Sequence, residues 1–178
     1  MPNKAFVFTR FTLRFSASTK KHLNGFVAHT KINVNSDGIL DHVSWPTKGN
    51  GVLFADWNGN GLDRSEEFIF STYSPYKKAN DLEGFSLFDY DNNGVINKED
   101  KIYNKLYIWD DLNSDGIPDF SEITPVNEII KEFNLHRNIH YFKNKKVNNN
   151  KIDVEFLSVD YSDKPIKSYS VTMKYKKG

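Results

Sequence analysis

Apolar and polar positions alternate along residues 5–15, where Phe6 and Phe8 share one parity and Phe11, Leu13 and Phe15 the other. A period of two predicts a strand, and the phase change near Thr9-Arg10 predicts a bulge or burial on both faces. A second short strand is expected over 26–34. From about 78 to 133 the period lengthens to that of a helix. Asp81 can cap a helix running to Phe88, with Leu82, Phe85 and Phe88 on one face. A short helix is expected over 98–108, turning Ile102, Leu106 and Tyr103 inward. Thr124-Pro125 sets Thr at an N-cap and Pro in the first turn of a helix to Phe133, which would bury Val126, Ile129, Ile130 and Phe133. Asn144 to Lys151 reads as loop. Alternation returns over 152–161 and 166–175 on either side of Ser162-Asp163-Lys164-Pro165, which predicts a β-hairpin.

The chain has 178 residues and fits a single domain, with a basic β segment at 1–31, a loop-rich region at 32–135 and a hairpin segment at 136–178. A hydrophobic fraction of 38% is modest, but aromatics at 15% supply a core, so the composition is that of a globular chain. There is no Cys, which excludes disulfides, thiolate metal sites and Cys nucleophiles. Met1-Pro2-Asn3-Lys4 leads into alternating aromatics rather than an apolar run, so no secretory signal peptide is expected. No stretch approaches the ~18 apolar residues that span a bilayer. The net charge of +1 conceals a pattern: residues 1–31 carry six basic and no acidic side chains, 32–130 seven basic and 18 acidic, and 131–178 eleven basic and five acidic. An acidic centre between basic flanks points to cation binding in the middle, or to flanks that neutralise it on folding.

The acidic centre is built of spaced loops. Calcium takes six to eight oxygen ligands, and a 12-residue loop supplies them from positions 1, 3, 5, 7 (a backbone carbonyl), 9 and 12, with Gly at 6 for the turn. Asp111, Asn113, Asp115, the Ile117 carbonyl, Asp119 and Glu122 fill every such position around Gly116. In a second loop Asp89, Asp91, Asn93, the Val95 carbonyl and Asn97 fit around Gly94, with Asp100 at position 12. Asp is one methylene shorter than Glu, which weakens calcium there or favours magnesium. In a third, Asp56, Asn58, Asn60, the Leu62 carbonyl and Glu67 fit around Gly61, while Arg64 at position 9 leaves that place to water. Two to three calcium ions are therefore expected. Asn33, Asn35, Asp37, Gly38, Ile39 and Asp41 repeat the spacing once more, but Ser44 stands at position 12, and an Asx-rich turn without metal is the favoured reading. Only residues 101–110 separate the loops at 89 and 111, room for one short helix and not the two of a paired EF-hand. With Met at positions 1 and 173 alone, no Met-lined target groove is expected. The fold class that follows is α+β: central EF-hand-like calcium loops with short helices, flanked by N-terminal strands and a C-terminal β-hairpin.

Three stretches, Asn33 to Trp45, Gly51 to Phe68 and Gly84 to Glu122, together resemble the EF-hand-bearing region of RTX-type (haemolysin-like) bacterial proteins. In particular they are similar to the self-processing module of iron-regulated RTX proteins of the FrpC type. The resemblance covers roughly residues 32–135. It implies a secreted or surface protein that folds on meeting external calcium; a cytoplasmic location is the alternative. In the self-processing branch it also implies cleavage of an Asp-Pro bond at the module's N-terminal edge, the new Asp carboxyl then being joined to a Lys amine. This sequence has no Asp-Pro pair, its prolines following Met1, Trp45, Ser74, Ile117, Thr124 and Lys164; Pro2 is either the stub of such a junction or an ordinary start.

Other chemistry is less well supplied. His136 and His140 lack a third zinc ligand nearby in sequence, and His22, His29 and His42 are scattered. Trp45, Trp57 and Trp109 flank the loops and read as core plugs. The basic flanks alternate at strand spacing, which favours strands over a nucleic-acid surface. The expected function is a non-enzymatic calcium-binding module, with an unidentified protein partner left open and no nucleic acid or membrane span. Calcium-triggered self-processing, or an effector built on these loops, is the enzymatic alternative.

Overall fold

The computed structural model describes residues 6–14, 28–32, 38–46, 50–62, 65–147 and 150–176. Its strands are β1 (Phe6–Arg14), β2 (Ala28–Ile32), β3 (Asp41–Trp45), β4 (Asn50–Ala55), β5 (Val95–Asn97), β6 (Leu106–Trp109), β7 (Ile123–Pro125), β8 (Ile130–Asn134), β9 (His140–Val147), β10 (Asn150–Asp160) and β11 (Pro165–Lys176). All pair antiparallel, in the order β5-β8-β10-β11-β1-β4-β6-β7, with β9 on β10, β3 on β11 and β2 on β3. Helix is confined to α1 (Asp81–Phe85), α2 (Val126–Ile129) and short 3-10 turns. The α+β expectation is thereby corrected: the described chain is mostly antiparallel sheet, and no pair of EF-hand helices frames its loops.

Each misread helix has a local reason. Over 98–108 the chain makes a 3-10 turn at Tyr103–Lys105 and then enters β6, whose Leu-Tyr-Ile-Trp suits a strand between two neighbours. The apolar spacing of Val126, Ile129, Ile130 and Phe133 is met by one turn of α2 followed by β8. An irregularity between Val159 and Asp160 in the β10–β8 ladder lets Ile130 and Phe133 both face inward, although strand alternation alone would part them. The helix at 81 does form, but it stops at Phe85, passes into a 3-10 turn over Ser86–Phe88, and is capped by Asn80. The Asn80 side chain accepts from the Glu83 amide at 3.1 Å, and the Glu83 carboxylate accepts from the Asn80 amide at 2.8 Å, a reciprocal capping box. Asp81 is instead buried and accepts from the Ser71 amide at 2.7 Å.

The hairpin expected after residue 150 forms from β10 and β11. Ile152, Val154, Phe156 and Ser158 point inward in alternation. The Asp160 carboxylate holds the turn by accepting from the Ser162 and Lys164 amides at 2.7 and 2.9 Å. Of the stretch Asn144 to Lys151 expected as loop, Asn144–Val147 belongs to β9 and Asn150–Lys151 opens β10, while 148 and 149 lie outside the described residues. β1 and β2 lie where alternation placed strands; their side chains are outside the described residues.

Two apolar clusters fill the interior. One gathers Phe70, Phe85, Phe133 and Phe156 with Leu53, Ile96 and Leu106; the other gathers Trp45, Val52, Phe54, Trp109 and Val171. Trp45 and Trp109 are the core plugs expected, with ring centroids 4.9 Å apart, whereas Trp57 stays partly exposed against Tyr73 and Phe88. Tyr103 closes the first cluster, its buried hydroxyl donating to the Ile130 carbonyl and sharing a hydrogen bond of 3.0 Å with the Tyr161 hydroxyl. Gly84 lets α1 press onto the turn beside it: a Cβ there would sit 1.8 Å from the Phe70 carbonyl oxygen. That obstacle is backbone and cannot swing away, so Gly84→Ala should cost about 3 kcal/mol, read as a lowered urea midpoint.

Candidate metal centre

The sheet deals the three acidic loops to different places. The loop from Asp56 leaves β4 after Ala55, and the loop from Asp111 leaves β6 after Trp109. In the β4–β6 ladder Ala55 faces Leu106 and Val52 faces Trp109, so these loops emerge at opposite ends. The loop from Asp89 adjoins the first: Trp57 packs on Phe88 at 5.4 Å, and the Asp56 amide donates to the Lys105 carbonyl at 2.9 Å.

The three share one plan. Gly61, Gly94 and Gly116 at position 6 have φ of 86°, 86° and 75°, a region costly for any residue with a Cβ. Position 1 (Asp56, Asp89, Asp111) and position 12 (Glu67, Asp100, Glu122) are buried, while positions 3 and 5 are exposed. Spacing alone foretold neither half of that pattern.

In the loop from Asp56, the carboxylate accepts from the Gly59, Asn60 and Gly61 amides at 2.7, 3.2 and 3.1 Å. Asn58 accepts from the Asn60 amide at 3.2 Å, Leu62 is half-buried, and Arg64 lies outside the described residues. In the loop from Asp89, the carboxylate accepts from the Asn93 and Gly94 amides at 3.1 and 2.9 Å. Asp100 reaches back across the turn despite its shorter side chain, one oxygen accepting from the Tyr90 amide at 2.9 Å and the other from Asn97 at 3.1 Å. Carboxylate oxygens of Asp89, Asp91 and Asp100 lie within 4.8 Å of one another. Asn93 accepts from the Val95 amide at 2.9 Å, Val95 itself lying in β5, and Asn97 turns to the Glu99 amide at 2.8 Å.

The loop from Asp111 is held differently. Glu122, only 5% exposed, accepts from the Leu112 and Asn113 amides at 2.8 and 3.2 Å, and from the Trp109 indole N–H at 3.1 Å. Asn113 accepts from the Asp115 amide at 2.9 Å, and Asp115 from Ile117 at 2.7 Å. The Ile117 carbonyl is engaged by the Asp119 amide, and the Asp119 side chain is exposed. Asp111 is 3% exposed, and both its oxygens are buried without a well-formed hydrogen bond. Burial, then the neighbouring Glu122 and Asp115 carboxylates, push its carboxyl above the usual range, while the Gly116 and Ser114 amides pull the other way.

Trp109 as the partner of Glu122 escaped the sequence, where it read only as a core residue. Its indole makes the loop optically addressable: a terbium ion seated there should luminesce on excitation of Trp109, and Trp109→Phe should remove most of that signal from this loop.

An SPM-domain family model matches residues 17–169. The iron-regulated protein FrpA of Neisseria meningitidis serogroup C is 31% identical over 98 residues, which is 53% of this chain and 9% of FrpA. The chain thus spans less than a tenth of the curated relative it matches. With the family match running through the loops and the strands that carry them, this chain belongs to the SPM-domain family.

Proposed function

We propose that this chain is a calcium-binding module of the RTX-related self-processing kind, stabilised by two to three ions. The observation that carries the reading is the buried Asp111 carboxylate, neither oxygen in a well-formed hydrogen bond, beside buried Glu122. Two carboxylates in one dry pocket repel and have lost their hydration, which costs several kcal/mol unless a cation joins them. Every donor in the three loops is oxygen, the set a hard divalent ion takes. Bound calcium would supply charge neutralisation and oxygen coordination. The chain's own part is to bury positions 1 and 12 and to wind the exposed Asn and Asp side chains into turns above them. Magnesium is the alternative at the Asp89–Asp100 loop. Calorimetric titration of chelator-stripped protein should count two or three calcium ions; none at millimolar calcium would end this reading.

Self-processing is the second reading, favoured because the family match extends well beyond the loops to residues 17–169. It requires an Asp before Pro2. Fusing a carrier that ends in Asp directly onto Pro2 creates that bond. Calcium should then release the carrier: the Asp–Pro amide breaks, Pro2 leaves as a protonated amine, and the Asp acyl group passes to water or to a Lys amine. An intact fusion band over hours in calcium would leave the module as a binder alone. A secreted or surface location accompanies either reading. No helix among the described residues is long and apolar enough to cross a membrane.

A further inference from the structure

Four aromatic rings crop out of the first apolar cluster between two of the acidic loops. Trp57 stands second in the loop from Asp56, Tyr73 ends the 3-10 turn Phe70–Tyr73, and Phe88 and Tyr90 flank Asp89. The Trp57 ring lies 5.9 Å from that of Tyr73 and 5.4 Å from that of Phe88; Phe88 in turn lies 5.2 Å from Tyr73 and 6.5 Å from Tyr90. Phe70 roots the group in the core, 6.5 Å from Tyr73 and 6.4 Å from Phe88. Trp57 is 37% exposed, Tyr73 36% and Tyr90 59%, whereas Trp45 and Trp109 are buried.

A surface Trp or Tyr ordinarily keeps its polar tip for water and its ring for the protein. Here the tips are engaged within the chain. The Trp57 indole N–H donates to the Tyr73 hydroxyl at 2.7 Å, and that hydroxyl donates to the Glu66 carbonyl at 3.1 Å. Ring surface is what the two residues have left to offer. The surroundings are acidic: residues 56–100 carry ten acidic side chains and four basic ones, and two divalent ions in the flanking loops would leave that surplus uncancelled. The negative field reaches the rings. Burial, and after it the Glu66 and Glu67 carboxylates, push the Tyr73 hydroxyl above the usual tyrosine range, while the hydrogen bond from Trp57 pulls the other way. Aromatic faces attract cations, and nearby carboxylates reinforce the attraction. The side chain that satisfies both is a guanidinium, which is planar, weakly hydrated and always charged.

We propose that the surface formed by Trp57, Tyr73, Phe88 and Tyr90 docks an arginine-bearing segment of a partner protein. Charge complementarity selects that occupant. An apolar patch brings no positive charge to the acidic surround, and an anionic membrane brings the wrong sign. The surface rests on rings and fixed side-chain charges, so it needs a folded chain but no particular count of bound ions.

A fluorescein-labelled peptide of alternating arginine and glycine, titrated with the full chain in millimolar calcium, is followed by anisotropy. Saturable one-to-one binding is expected. Trp57→Ser should weaken it about tenfold and Tyr90→Ser severalfold, while Tyr141→Ser, exposed on β9, should leave it unchanged. The bound peptide should also shield Trp57, the one exposed tryptophan of the three, from quenching by acrylamide. No binding overturns the docking surface. So does binding that the ring substitutions leave untouched, which would be attraction to the loop carboxylates alone. Should circular dichroism show that Trp57→Ser fails to fold, Tyr90→Ser decides: an affinity equal to the natural chain's overturns the surface. Neither result alters the ion count of the loops, which calorimetry reads separately.

Discussion

Adding millimolar calcium to chelator-stripped protein is expected to raise its melting temperature by roughly 15–30 °C. Each ion held at a hundredfold excess over its Kd stabilises the native state by about 2.7 kcal/mol, so three give about 8. For a chain of this length 1 kcal/mol moves the midpoint by roughly 2–4 °C. The loops should not contribute equally. In the loop from Asp89, backbone amides already meet Asp89 and Asp100. In the loop from Asp111 the Gly116 and Ser114 amides reach the position-1 carboxylate without a well-formed hydrogen bond, so the larger share of the gain belongs there. Circular dichroism through the melt, with and without calcium, checks this; coincident curves would show loops that bear no ion.

The second large effect reverses sign with the solution. In chelator, Asp111→Asn removes a buried charge that crowds Glu122 and should raise stability. In calcium the same change removes a ligand and leaves the ion less well balanced, and should lower stability by about 3–5 kcal/mol, the usual cost of breaking a buried ionic set. Denaturant midpoints in the two buffers, for the natural chain and the variant, give the comparison. A loss of equal size in both would mean that Asp111 acts through packing rather than through a cation. Asp91→Asn, at an exposed position 3, should change little in chelator and serves as the control.

The turns at Gly61, Gly94 and Gly116 were legible because their spacing is a local code: a Gly at position 6 and oxygen-bearing side chains around it are written contiguously. Their framing was not. Val126, Ile129, Ile130 and Phe133 satisfy a helical period, yet a single turn followed by an irregular strand satisfies it too, and only the partners β5 and β10 decide between them. Those partners lie 25 to 39 residues away in sequence, beyond the reach of a local pattern. The C-terminal hairpin was readable for the converse reason, since its two strands and its turn sit side by side. Burial of positions 1 and 12 was likewise hidden, because it depends on which strand end each loop leaves.

The central ladder joins segments about 150 residues apart: Phe6 pairs with Tyr175 and Arg14 with Lys167. A chain emerging N-terminus first from a ribosome therefore carries β1 without its main neighbour until residues 167–175 have appeared. Pairings this distant must pay loop-closure entropy before they return anything, which slows their formation. The sheet is thus completed only once β11 has appeared, and a fragment that stops short of β11 should remain open along the edge of β1.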